Sequence, residues 1–480
     1  MFANRATTTK TCTARSIAGR VFLAVGVSTV LASCGGGGSG SSGTSNPPVT
    51  SASCGVESQK EFVFSVAQDW YLWYDEMAPV SLADFDSAEA LLSALTAPLA
   101  EDFRDPGFSY LTTVAADQAN FSTGAFIGFG FRFGIDANGS YLISDAYESG
   151  NAQAAGFIRG AELLAVDTGS GFQSMQTYEA QGASISEVFG PSELGVERGF
   201  RLLVDGEVLE VVVAKSELDV PPLAAAPLSI DRAGLAPAGY IHLRSFTSSA
   251  IDELEAAFKT LSDEGVTDFV VDLRYNSGGL VEVAERFLDL LGGAVAERQI
   301  AYRLSYNEKR ASEDFDYLFN DRPASVVPLR IAFLTSEATA SASELLINSL
   351  APFVEIALIG SDTSGKAVGQ NAFDQNGCNT RLRLVAFETV NGEEQGEFYT
   401  GLVDTGRFTL CAVEDNFRGV FGSAEENLTA GALAWLGEGA CPVSPVTSRT
   451  ASTKTDRGFR RNSPSIAGRD LADRRSSWVQ

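Results

Sequence analysis

The stretch "TSEATASASELLINSLAP", Thr335 to Pro352, sets Ser341 and Ser343 among alanines at the mouth of an apolar segment that reads as a helix. "SASE" (Ser341–Glu344) is a capping box, with an acceptor followed three residues later by an acid, so a cap is the plain function of Ser341. A serine at such a mouth is also a potential nucleophile if a base can take its proton. Acyl transfer would further need donors aimed at the developing oxyanion. The paired glycines Gly278 and Gly279, in "DLRYNSGG", free backbone N–H groups to point into a site, and Ala342 N–H at the helix start adds another. The chain holds one histidine, His242 in "GYIHLRSF", and a Ser-His-Asp arrangement would have to use it; a lone histidine inside a strand is more often a packing residue.

Strands and helices alternate around these residues. Strand "GYIHLRSF", helix "AIDELEAAFKTLSDEG", strand "DFVVDLRY", helix "LVEVAERFLDLLGG", strand "LRIAFLT", helix "SELLINSLA" and strand "EIALIG" predict a parallel sheet covered on both faces, with its sites in loops at the carboxyl ends of the strands. Upstream, "SQKEFVFSVAQDWYLWYDEM" places Phe62, Val66, Trp70, Trp73 and Met77 on one helical stripe behind a Ser58 cap. "DSAEALLSAL" repeats the design with Asp86 and Glu89. A small helical domain over 58–118 is expected. From Gly124 the texture turns to short β-rich runs broken by "ANGS" and a short helix at "NAQAAG", ending in the strand "EVLEVVVA" and a Pro/Ala-rich joint.

At 480 residues and 45% hydrophobic content, the chain can fill about three domains of roughly 150 residues. Its first 33 residues carry Arg5, Lys10, Arg15 and Arg20 with no acid, followed by the apolar run "VFLAVGVSTVLA", the pattern of an export signal. "LASC" resembles the lipobox of bacterial lipoproteins, which implies cleavage behind Ser33 and lipidation of Cys34. Gly35 after the cysteine implies delivery to the outer membrane, with the body in the periplasm. Residues 34–57 hold a Gly/Ser tether. The net charge of −26, more negative once the leader is removed, argues against nucleic acid and anionic lipid surfaces as partners. The tail over 448–480 is the exception: from Arg449 it has eight Lys/Arg against three Asp/Glu and reads as disordered. In an oxidising compartment Cys54, Cys378, Cys411 and Cys441 allow three pairings. We expect Cys378 with Cys411, and Cys54 with Cys441 tying the ends of the body together. No CxxC pair occurs, and neither a metal nor an organic cofactor is expected.

Two further resemblances bear on function. "GFGF" (Gly128–Phe131) and "NAQAAGFIRGAELLAVD" resemble, in order, the carboxylate-binding loop and the helix–turn–strand of PDZ domains in bacterial proteases. This implies a PDZ domain over 119–217, with Phe129, Gly130 and Phe131 around the carboxyl terminus of a bound peptide. "DLRYNSGG", "TASASE" and "GSDTSGKAVGQ" together resemble the C-terminal processing (tail-specific) peptidases, and the likeness covers roughly residues 58–440. It implies a multidomain α/β protein with a crotonase-like serine peptidase core over 218–447, acting on proteins with free C-termini. Within that pattern Ser341 is the nucleophile, Lys366, 25 residues on, the base, and Gln370, four residues further, its orienter. Ser343 is the residual candidate for nucleophile. The chemistry agrees: Lys366 follows a glycine in a small-residue loop between apolar segments, where burial disfavours the charged amine, and residues 366 and 370 share a face in either regular conformation. The family more often has proline where this chain has Ser277, which leaves the glycine loop less rigid. The competing class is a non-catalytic module that only holds peptides.

Overall fold

Two short amphipathic helices bury too little against each other to be stable alone, and the first two here complete their core elsewhere. In the computed structural model, which describes residues 54–442 apart from Ala137, α1 runs over Val56–Trp70 and α2 over Ala88–Glu101. Val63 and Ala67 of α1 and Leu91, Leu92, Leu95 and Leu99 of α2 pack with Val368, Leu382, Leu384 and Val385 from far along the chain. β1 (Tyr110–Thr113) joins the same distant sheet, and α3 (Val114–Thr123) follows it, capped by the Thr113 hydroxyl. Two caps differ from expectation. α1 starts after Gly55, so Ser58 lies inside the helix and accepts from Gln375 Nε2 at 2.7 Å; α2 is capped by Ser87, one residue beyond Asp86. The export signal, Cys34, the tether through residue 53 and the tail from residue 443 lie outside the described residues. Among the described residues no helix is long and apolar enough to cross a membrane.

The next elements are β2 (Phe126–Gly128), β3 (Phe131–Ile135), β4 (Tyr141–Ala146), α4 (Asn151–Ala154), β5 (Glu162–Asp167), β6 (Phe172–Gln173), α5 (Met175–Ala180), α6 (Ile185–Phe189), β7 (Glu197–Val204), β8 (Glu207–Ala214) and β9 (Ser216–Leu218). They form a sheet in the order β3-β4-β5-β7-β8, with β6 on β5, while β2 pairs separately with β9. Phenylalanines fill its core: Phe129, Phe131, Phe157, Phe189 and Phe200 are all fully buried, with Phe131 and Phe157 ring centroids 4.7 Å apart.

The remaining elements are β10 (Leu228–Ile230), β11 (Ala238–His242), α7 (Ala250–Asp263), β12 (Asp268–Asp272), α8 (Val281–Ala296), β13 (Ile300–Tyr306), β14 (Phe315–Leu318), β15 (Arg330–Thr335), α9 (Ala342–Leu350), β16 (Glu355–Gly360), β17 (Val368–Asp374), β18 (Thr380–Asn391), β19 (Thr409–Ala412) and α10 (Asn427–Glu438). They build two sheets. In the first, β11, β12, β15, β16 and β19 run parallel and β10 is an antiparallel edge. Helices α7, α8 and α9 cover one face, packing Phe258, Phe287 and Leu346 onto Phe269, Val271 and Phe333; α10 covers the other with Leu428 and Trp435 against Val270, Leu334 and Ile359. Asp272, Leu334 and Ile359 stand side by side in register, so the loops after β12, β15 and β16 open at one edge. The second sheet, β1-β18-β13-β14 with β17 on β18, is antiparallel and carries α1 and α2.

The disulfides correct the expected pairing: the bonds are Cys54–Cys378 and Cys411–Cys441. Cys378 sits in the turn between β17 and β18, the hairpin on which α1 packs, and Cys54 immediately precedes α1. Cys411 lies on β19 under α10, and the chain leaving α10 brings Cys441 back to it. Spacing alone could not show which cysteines the sheets would bring together.

Candidate active site

Ser341 lies between the end of β15 and the start of α9, with its backbone at φ +56°, ψ −115°. A non-glycine residue in so sparsely populated a region carries about 1–3 kcal/mol of strain, so its surroundings must hold it there. Thr339 Oγ1 donates to the Leu273 carbonyl at 2.9 Å and Ala340 N–H to the Asn276 carbonyl at 3.1 Å, while Ser364 N–H donates to the Thr339 carbonyl at 2.9 Å. The loop is thereby tied to both neighbouring loops. The bend leaves Ser341 half-buried. Ser343, in contrast, is fully buried, and its hydroxyl donates to the Asn276 carbonyl at 3.1 Å. Of the two serines, only Ser341 is placed to meet a substrate.

Lys366 stands just before β17 and is 4% exposed. Its Nζ donates to Gln370 Oε1 at 2.7 Å and lies 5.0 Å from the centroid of the Phe108 ring. Gln370 Nε2 in turn donates to the Phe108 carbonyl. The expected Lys366–Gln370 pair therefore forms, and a third residue, absent from the sequence expectations, fixes which way the amide points. Gly365 (φ +88°) admits this path because any Cβ there would come 2.5 Å from the Tyr399 carbonyl oxygen.

The serine and lysine loops meet on Glu344, which is fully buried. One of its oxygens accepts Ser341 N–H at 2.9 Å and Lys366 N–H at 2.8 Å, and the other accepts Gly365 N–H at 2.7 Å. Burial pushes this carboxyl up to about 7, against the opposing pull of the Thr363 side chain and the three backbone donors. The acid of the capping box thus spans two loops. Its link to Ser341 N–H was legible in the motif; its link to Lys366 was not.

Of the expected oxyanion donors, Gly279 and Ala342 have N–H groups that make no hydrogen bond among the described residues. Gly278 N–H is instead taken by Asn276 Oδ1 at 2.8 Å, which removes it as a donor in this conformation. Its contribution is closeness: at φ +101°, a Cβ on Gly278 would lie 2.9 Å from both Ser341 Cβ and Ala342 N. Asn276, fully buried, holds the turn through Nδ2 to the Leu243 carbonyl at 2.8 Å. Upstream, Arg274 is clamped between Asp272 and Glu426, and it draws the Glu426 carboxyl down to about 2 despite burial. Tyr275 adopts φ +70° and its carbonyl accepts Arg132 Nη1 from β3 at 2.8 Å, which anchors the β3–β8 sheet to the glycine loop.

His242 takes no part in these contacts. It projects from β11 with Tyr240 toward the α10 face, whereas Ile241 and Leu243 face the side covered by α7, α8 and α9. Its ring lies edge-on to Phe421 at 4.6 Å, and burial, with Arg244 next, holds its pKa well below the usual histidine range. Around the "GFGF" loop, the Phe129 and Phe131 rings are core residues, and a Cβ on Gly130 (φ +96°) would strike Gly150 Cα at 2.5 Å. What this loop can offer a ligand is its backbone. Among the described residues no cluster of His, Cys, Asp and Glu is arranged to hold a metal ion.

Residues 237–401, which contain the whole serine–lysine–glycine constellation, match peptidase family S41, and residues 58–110 match the peptidase S41 N-terminal domain. Over these residues the chain is similar to the S41 peptidases. The S41 likeness extends to a carboxyl-terminal-processing protease of Synechocystis sp., 26% identical over 330 residues, covering 67% of this chain and 71% of that one. It extends also to chloroplastic carboxyl-terminal-processing peptidase 1 of Arabidopsis thaliana, 30% identical over 246 residues, 50% of this chain and 47% of that one. The chain thus spans about half the length of the plant relative. The fold resembles the crystal structure of a Bacteroides fragilis protein assigned to the S41 proteases, with a TM-score of 0.60 and 24% identity over 78% of this chain and 97% of that one. The N-terminal S41 match ends at residue 110 and includes Phe108, whose carbonyl anchors Gln370.

Proposed function

We propose that the chain is a serine endopeptidase that cleaves proteins near their C-termini. Ser341 Oγ attacks the scissile carbonyl and passes its proton to Lys366 Nζ; the oxyanion is received by the N–H groups of Gly279 and Ala342; Lys366 then gives the proton to the departing amine, and water releases the acyl group. The observation that carries this is the Glu344 bracket: one buried carboxylate oxygen accepts the backbone of both Ser341 and Lys366, while Gln370 holds the Lys366 amine. Gln370 and Phe108 fix the direction of that amine, and its burial is what a neutral base requires.

Capture of the substrate tail is assigned to the β3–β8 sheet acting as a PDZ domain. Its support is that β3 is an edge strand, the kind of edge a peptide can extend, and that the Gly128–Phe131 turn precedes it with its phenylalanine rings in the core and the Phe129 and Gly130 carbonyls taken by Ala152 and Tyr147 N–H, so that a carboxylate would meet N–H groups. The body is assigned to the periplasm, held to the outer membrane by lipidated Cys34. The deciding experiment incubates an unfolded protein such as casein with the purified chain and with Ser341→Ala. Cleavage by the first alone is expected. Cleavage by both, or by neither while peptide binding persists, would replace the peptidase with a contaminant or a binding module.

A further inference from the structure

Residues 102–109, between α2 and β1, form neither helix nor strand, yet the Phe108 carbonyl that receives the Gln370 amide belongs to them. The oxygen and nitrogen of a glutamine amide are alike in shape, and their partners decide which faces which way. With Nε2 given to Phe108, Oε1 is left to face the Lys366 ammonium, a group that can only donate. The aim of that amine is no firmer than the hold on one loop carbonyl.

The hold comes from Asp105. Its carboxylate is fully buried and is satisfied by amide and hydroxyl donors. Oδ1 accepts Ser109 N–H at 3.0 Å, while Oδ2 accepts the Ser109 hydroxyl at 2.7 Å and the Tyr71 phenol at 3.0 Å. Two of these bonds close the loop from Asp105 to Ser109 on itself, with Phe108 next to the closure. The near end is tied to α2 by Asp105 N–H donating to the Leu99 carbonyl at 3.0 Å. Tyr71 is the first residue after α1; burial, and then the Asp105 carboxylate, raise its phenol well above the usual tyrosine range, which keeps it a donor.

The far end is fixed to the sheet that carries Gln370. Along one edge of β18, β1 reaches Arg383 and β13 begins at Phe387, so Val385 falls in the gap between them. The N-terminal segment fills that gap: Ser109 Oγ accepts Val385 N–H at 3.1 Å, and Leu72 N–H donates to the Val385 carbonyl at 3.0 Å. On the opposite edge Val385 pairs with Gln370 itself. The Ser109 hydroxyl thus joins Asp105 to the strand beside Gln370, and the residue before it supplies the acceptor. We propose that Asp105 is a positioning residue for the general base: by closing the Asp105–Ser109 loop onto β18, its carboxylate fixes the Phe108 carbonyl, which turns the Gln370 amide oxygen toward Lys366. Burying a carboxylate costs free energy unless its lone pairs are used, and here they are used on the loop that faces the site. The role of Lys366 as base rests on the peptidase reading; control of its amine by Asp105 does not.

Asp105→Asn and Gln370→Ala, made singly and together in the full-length chain, test this. With fluorescent casein, Asp105→Asn should lower kcat about tenfold, the size of one lost hydrogen bond, and change KM by less than about twofold. In the Gln370→Ala background the same change should lower kcat by less than about twofold, because the route from Asp105 to the amine is already cut. A purely structural contribution would lower both backgrounds alike. The chain has seven lysines, so the titration of Lys366 can be followed by NMR of lysine labelled at Cε, its signal assigned by Lys366→Arg. Losing an acceptor disfavours the ammonium, so Asp105→Asn and Gln370→Ala should each move that titration to lower pH, and the double variant no further than Gln370→Ala. Ser109→Ala should act in the same direction in both measurements, and it carries the test if Asp105→Asn does not fold. No Ser341-dependent hydrolysis, with the titrations still coupled, would remove the peptidase reading and keep the assignment of Asp105. Equal losses of kcat in both backgrounds, or a Lys366 titration that neither Asp105→Asn nor Ser109→Ala moves, would overturn it.

Discussion

Glu344→Gln exchanges a residue with two acceptor oxygens for one with a single acceptor and a donor. With its amide oxygen toward Ser341 and Lys366, the glutamine would turn its NH2 toward Gly365 N–H; flipped, it would strand the other two donors. At least one buried N–H loses its partner, at about 1–3 kcal/mol. A second effect depends on pH and adds to the first at low pH. The Glu344 carboxyl sits near 7 when folded, above its ordinary value of 4.5, so the native state binds this proton more tightly than the unfolded chain. The stabilisation is fully present below about pH 4.5 and is lost as pH rises through about 7, amounting to roughly 3 kcal/mol at about 1.4 kcal/mol per pH unit. The variant lacks that term. Urea unfolding of both proteins should therefore show the largest deficit of Glu344→Gln at pH 5 and a deficit smaller by on the order of 3 kcal/mol at pH 8. Differences between the two proteins cancel the remaining titrations. Casein hydrolysis by the folded variant should fall at least about tenfold, since in either orientation of the amide the lysine loop loses at least one of its bonds to residue 344. A wild-type rate together with a stability difference that does not change from pH 5 to pH 8 would refute the role assigned to Glu344.

Other outcomes follow from the same geometry. Lys366→Arg keeps a cation but supplies no neutral base, so hydrolysis should fall by several orders of magnitude, matching Ser341→Ala, as members of one catalytic unit do. His242→Ala opens a hole beside Phe421 and should cost about 1–3 kcal/mol of stability while the folded fraction hydrolyses casein normally; an inactive folded His242→Ala with an active Lys366→Arg would reverse the base assignment. Digestion without reduction, followed by mass spectrometry, should find Cys54 linked to Cys378 and Cys411 to Cys441. Cys54→Ser should lower stability by about 2–5 kcal/mol, and a Cys378–Cys411 peptide would contradict the fold. Cys34→Ala should move the protein from the detergent phase to soluble periplasmic extract, or leave it uncleaved; unchanged partitioning would end the lipid-anchor proposal.

What the sequence made legible was mostly local. The parallel-sheet elements β11, α7, β12, α8, β15, α9 and β16 could be read in order from periodicity, though not β13 and β14 between α8 and β15, and Ser341 could be read from its place at a helix mouth, because each depends on residues within a few positions. Helix caps missed by one to three residues, since Ser58 and Asp86 satisfy the same pattern as the positions that cap. The antiparallel sheet around β18 was not anticipated: its partners β1, β13 and β17 are dispersed over the chain, and nothing local marks them as neighbours. The same distance concealed Phe108, which meets Gln370 across 262 positions. Glu344 was visible as a cap and concealed as a bridge, because one carboxylate looks the same in sequence whether it serves one loop or two. Gly278 shows the converse: its pairing with Gly279 marked the turn correctly, yet Asn276 takes the N–H that the pattern assigned to the oxyanion.

The Phe108 carbonyl has a consequence for how this kind of protein can be cut and recombined. The segment that looks like the peptidase by itself, residues 237–401, carries the serine, the lysine and the glutamine, yet the atom that steers the glutamine arrives from outside it. Val368 and Val385, which flank Gln370 in its own sheet and across it, owe their burial to α1 and α2. An excised peptidase segment would keep every reactive group and lose the aim of its base. Conversely, two relatives that traded only their first hundred or so residues would have exchanged part of their active sites, even though no residue known for its chemistry had moved.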